Sequence, residues 1–84
     1  MTSQRVFETE SIDLAAYLAT AGYEATICRN PTGRRAVFMF LESDELHQAI
    51  VNYERGAVLP AKKLLNVRSW LFREASRVCR EVQL

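Results

Sequence analysis

Apolar positions fall into short blocks with two different periods, and the period of each block predicts its element. "QRVFETES" sets Val6 and Phe7 among polar residues in a stretch suited to a short edge strand of mixed exposure. Ser11 follows as a helix N-cap, its hydroxyl able to take a free backbone N–H of the first turn, and Asp13 favours the positive end of the helix dipole. In "IDLAAYLATAG", Leu14, Ala15 and Leu18 share one face at helical spacing. The alanines there allow close approach to a sheet, and Gly22 is placed to end the helix in the left-handed conformation.

"YEATICRNPTGRRAVFMFL" reads as a hairpin around Asn-Pro-Thr-Gly. Proline presets φ at the first central turn position, asparagine suits the entry, and Gly33 can take the positive φ of a type I turn closed by a bulge. The second strand of the hairpin, residues 36–41, is apolar on both faces, with Phe38 and Phe40 on one and Val37, Met39 and Leu41 on the other. Such a strand belongs in the middle of a sheet. The first strand then pairs antiparallel with its free edge, after a right-handed crossover through the helix, and the strand order becomes first, third, second.

"SDELHQAIVNYERG" predicts a second helix, capped by Ser43 and stopped at Gly56, with Leu46, Ala49, Ile50 and Tyr53 at its inward spacing. "AVLP" is a short extended link, and Pro60 fits the first turn of a long last helix, where a missing N–H costs nothing. At roughly 100° per residue, Leu64, Val67, Leu71, Ala75, Val78 and Val82 share an arc of that helix, widened by Leu65, Phe72 and Cys79. This arc is the expected buried face. Opposite it lie Lys62, Ser69, Arg73, Arg77 and Arg80, with Lys63, Trp70 and the two glutamates, Glu74 and Glu81, toward one edge. Arg68 falls among the apolar positions, so it must reach the rim or find a carboxylate.

The fold class predicted is α+β: one domain over residues 1–84, a three-stranded antiparallel sheet of order 1-3-2 in a β-α-β-β-α-α chain, with three helices, the last one long. One helix layer would leave one face of the central strand open to water. Helices on both faces, or a homodimer in which the last helix packs against its partner, would close it.

At 84 residues the chain has room for one compact core, and its 49% apolar and 25% charged residues are those of a folding globular domain. Net charge is +1, but residues 1–54 hold four cations against eight carboxylates and residues 55–84 hold seven against two. That segregation points to an anionic partner, or to the acidic half of the same or another chain. Cys28 and Cys79 could pair by count, yet nothing near the start resembles a signal peptide, so a reducing cytoplasm is expected. No apolar run approaches the roughly 20 residues that span a bilayer, which predicts a soluble chain with no membrane partner.

Candidate chemistry is sparse. His47 is the single histidine and has no nucleophile-elbow spacing near it, and Cys28 and Cys79 are not spaced as a zinc pair. "PTGRR" carries one glycine, explained by its turn, and Glu8, Glu10, Asp44 and Glu45 read as surface carboxylates. No cofactor, metal or small-molecule substrate is expected, and no enzymatic activity.

"FETESIDLAAYLATAGYE", "GRRAVFMF" and "VLPAKKLL" resemble a small prokaryotic domain family of unknown function that runs strand, "S-x-D-L-A-A-x-L" helix, hairpin with an "F-x-F" strand, helix and a "P-A-K" entry to the last helix. The matching residues are caps, turns and packing positions. The resemblance implies the fold and no activity; its size, similar to accessory proteins of phages and other mobile elements, mildly favours binding to nucleic acid or protein. The arginine-rich end of the chain departs from that pattern.

Two readings of the basic stripe follow. In the first, Lys62, Lys63, Arg73, Arg77 and Arg80, extended by Arg34 and Arg35 at the hairpin tip, contact DNA or RNA without sequence specificity, because cations at one-turn spacing release counterions from phosphates. In the second, the same residues form a solvated face or an interface in a homo-oligomeric interaction domain with no nucleic-acid role.

Overall fold

The computed structural model describes residues 5–30, 33 and 35–81. The chain runs β1 (Val6–Thr9), α1 (Ile12–Thr20), β2 (Thr26–Arg29), β3 (Ala36–Leu41), α2 (Asp44–Glu54) and α3 (Ala61–Glu81). The sheet is antiparallel with the order β1-β3-β2, so the strand that is apolar on both faces does lie in the centre. The class is α+β, as expected.

Most of the local signals have a visible atomic basis. The Ser11 hydroxyl accepts from the Leu14 N–H at 3.2 Å and the Ser43 hydroxyl from the Leu46 N–H at 3.0 Å, caps worth about 1 kcal/mol apiece. Gly22 (φ 110°) and Gly56 (φ 80°) end α1 and α2 in a backbone region that side chains with a Cβ avoid. In the hairpin, Asn30 donates to the Arg35 carbonyl at 3.0 Å and accepts from the Gly33 N–H at 3.2 Å, the closure expected of a turn that starts at Asn30. Pro31, Thr32 and Arg34 lie outside the described residues. Pro60 stands one position earlier than expected: α3 begins at Ala61, and the proline carbonyl caps it by accepting from the Leu64 N–H at 3.0 Å.

The core is one layer thick. Phe38 and Phe40 project from β3 into Leu14, Ala15, Ala16, Leu18, Leu46, Ala49 and Leu71, with Phe7 and Ile27 alongside them on the same face of the sheet. All three helices contribute to this one side. The other face, with Val37, Met39 and Leu41 of β3 beside Val6 of β1, takes no part in the core, and Leu41 is 60% exposed. Of the two ways to close the sheet, helices on both faces is therefore not the one this chain adopts. The body measures 40 × 40 × 17 Å.

α1 is enclosed more fully than its one apolar face predicts. Ala16 and Tyr17 are buried as well as Leu14, Ala15 and Leu18, because α3 packs along the flank that α2 and the sheet leave open. For α3 the outcome is the reverse. Leu71 is fully buried and Leu64, Val67, Ala75 and Val78 partly so, but Leu65 and Phe72, expected to widen the buried arc, are each 60% exposed. The helix rests against α1 and the β2–β3 side of the sheet, and that contact does not extend round to the Leu65 flank. Val82 lies outside the described residues.

These positions make two stability predictions. Leu71→Ala should cost about 2 to 5 kcal/mol through the cavity it leaves, whereas Phe72→Ser, one residue on, should change stability by less than about 0.5 kcal/mol; urea denaturation midpoints measure both. The Thr20 hydroxyl is buried and has no hydrogen-bond partner among the described residues. Thr20→Val should leave stability unchanged or raise it by up to about 1 kcal/mol, and a loss in the same denaturation experiment would reveal a partner for that hydroxyl.

Candidate nucleic-acid interface

α3 is a rod about 30 Å long at 1.5 Å per residue, held to the domain along one side by Leu64, Val67, Leu71 and Ala75. Its orientation is also fixed electrostatically. Arg68, the cation that falls among apolar positions, donates from Nε to Asp13 Oδ1 of α1 at 2.7 Å. Both side chains remain near half exposed or more, so the pair contributes register more than stability. Beside it lies a groove of about 530 Å³ lined by Tyr17, Tyr53, Leu59, Leu64 and Leu65. The rings of Tyr17 and Tyr53 meet there at 5.3 Å and 56°.

With that side fixed inward, the outward arc of α3 runs from Ser76 and Ser69 through Lys62, Arg80, Arg73, Asn66 and Arg77 to Trp70. No aspartate or glutamate falls within it. Lys62, Lys63, Arg73 and Arg80 are exposed and form no ion pair among the described residues. Arg77 is exposed too, but its Nη2 donates to Glu74 Oε1 at 2.8 Å, an i, i+3 pair on the border of the arc. Trp70 and Phe72, which could have been core residues, are 49% and 60% exposed, on opposite sides of the cationic arc.

Of the two arginines at the hairpin tip, the structure describes Arg35 alone. Arg35 is exposed and lies 3.6 Å from Glu10, just beyond β1, so its charge is matched locally; Arg34 lies outside the described residues. A shallow hollow among Phe72, Arg73, Ser76, Cys79 and Arg80 marks the C-terminal half of the arc. The feature that sequence reasoning missed is the exposed apolar flank of Leu65 and Phe72. Arg68, next to that flank on the helix wheel, was the available signal that this side faces water.

Other chemistry does not converge. His47 Nε2 stands 3.5 Å from Glu42 Oε1, and neither residue lines the Tyr17–Tyr53 groove or the hollow on α3. Among the described residues no cluster of three or more histidine, cysteine or acidic side chains could hold a metal ion. Cys28 and Cys79 form no disulfide. No helix of the described residues is long and apolar enough to cross a membrane.

No curated protein and no solved structure matches the chain. A family model matches residues 4–63, the segment from the start of the sheet to the first turn of α3, which leaves most of the cationic helix beyond the matched part. The sheet, α1, α2 and the entry to α3 thus carry the resemblance read from the caps and packing residues, and by this match the chain belongs to a domain family of unknown function, DUF5659.

Proposed function

We propose that this domain is a non-enzymatic module that contacts nucleic acid, DNA or RNA, without sequence preference through the outer arc of α3. The observation that carries the reading is the composition of that arc: exposed Lys62, Arg73 and Arg80 on one helix, with no carboxylate among them. Cations held on a rod lose little side-chain entropy per phosphate contact beyond their own rotamers, and each contact releases condensed counterions. Trp70, at the edge of the arc, offers a ring on which an unpaired base can stack. A reducing cytoplasm is the compartment proposed for a chain whose Cys28 and Cys79 form no disulfide with each other.

The alternative is an oligomerisation domain in which α3 itself packs on a second copy and nucleic acid has no role. Exposure of Leu65 and Phe72 favours it. Fluorescence anisotropy with single- and double-stranded oligonucleotides separates the two. With about three phosphates neutralised, the log–log salt slope should be near −3, so affinity should fall roughly 50-fold between 50 and 200 mM salt. The triple change Lys62→Gln, Arg73→Gln, Arg80→Gln should remove most of that binding and flatten the slope, with the fold intact by circular dichroism. No salt-dependent binding at 50 mM would overturn the reading.

A further inference from the structure

The open face of the sheet has a composition that goes beyond a leftover apolar surface. Antiparallel register places Val6 opposite Leu41, Glu8 and Thr26 on either side of Met39, and Cys28 opposite Val37, all pointing away from the helices. The middle row is therefore Glu8–Met39–Thr26: an acceptor on one edge strand, an apolar side chain in the centre, and a donor on the other edge strand. Neither Glu8 nor Thr26 makes a side-chain hydrogen bond or ion pair among the described residues. They cannot serve each other within one chain, because two strand spacings of about 4.8 Å separate them.

We propose that this face is where two copies of the chain pair, sheet against sheet, about a two-fold axis that runs parallel to β3 between the layers. Such an axis lays β1 of each copy over β2 of the other and β3 over β3. It brings Glu8 of one copy above Thr26 of its partner, twice by symmetry, with Met39 meeting Met39 between them. Sheets stack about 10 Å apart, a gap that a glutamate and a threonine side chain bridge with one O–H···O bond. The apolar row of Val37, Met39 and Leu41, left open by the single helix layer, is covered in the same step. All six helices then face outward, so this pairing neither requires nor blocks nucleic-acid contact by α3.

The face is only three strands wide, so the pair is expected to dissociate on dilution, below the contact area of a standard stable complex. Sedimentation equilibrium from about 5 to 500 µM tests it. Wild type should show a monomer–dimer equilibrium within that range. Thr26→Glu, which sets two carboxylates against each other at both symmetry-related sites, should weaken the dimer by tenfold or more, and Thr26→Lys should tighten it. Glu8→Lys combined with Thr26→Glu should restore it, since lysine then meets the partner's glutamate. Circular dichroism checks that each exposed-site variant remains folded. A chain that stays monomeric at 500 µM overturns the proposal, as does a dimer indifferent to the Thr26 changes or not restored by the double variant. A dimer lost instead with Leu65→Ser and Phe72→Ser would place the contact on α3. Oligonucleotide anisotropy on the same proteins reads the α3 proposal independently.

Discussion

Ala15 and Ala16 offer only methyl groups, and the structure rests on what those methyls permit. With no long side chain on that part of α1, the helix is enclosed by β1, α2 and α3 together, and both alanines have no solvent-accessible surface. α3 rests on this helix and on the β2–β3 side of the sheet: among the described residues its single fully buried side chain is Leu71, and the Arg68–Asp13 pair sets its register against α1. A long helix held by so narrow a seam keeps the larger part of its circumference in water. The basic arc and the exposed Leu65 and Phe72 both follow from that geometry.

Charge segregation along the chain resolves at the atomic level into local pairs and a remainder. Arg68 with Asp13, Arg35 with Glu10 and Arg77 with Glu74 place cations against carboxylates on the surface, where screening by salt leaves each pair of small energetic value. Their effect is on the field rather than on stability. Among the cations that form no ion pair within the described residues, Lys62, Arg73 and Arg80 share one face of α3, whereas Arg5, Arg29 and Arg55 lie off that helix; the proposed function draws on that arrangement of charge and not on its net amount.

The fold was legible in the sequence because its signals are local and agree with one another. Serine caps, glycine stops, the Asn-Pro-Thr-Gly turn and a strand apolar on both faces each have a short-range cause, and together they leave one strand order. The depth of burial on each helix was less legible, since it depends on which neighbour covers which flank. A helix wheel assigns Leu65 and Phe72 to the inward side by hydrophobicity alone; only the position of α1 determines that they lie beyond the contact. The cationic residues of α3 were identifiable by spacing, whereas the local neutralisation of Arg35 and Arg77 required Glu10 and Glu74 to be placed in space. The polar pair on the open face was hidden for a similar reason: Glu8 and Thr26 share a row only once both registers around Met39 are known.

A body 17 Å through its short axis contains one sheet and one stratum of helix, with no interior behind either. Phe38, Phe40, Leu46 and Leu71 belong to a single cluster, so detaching any helix wets the side chains that hold the others. Such a molecule has no subdomain able to persist when another opens. Exchange of its innermost amides is therefore expected to require the opening of that one shared cluster.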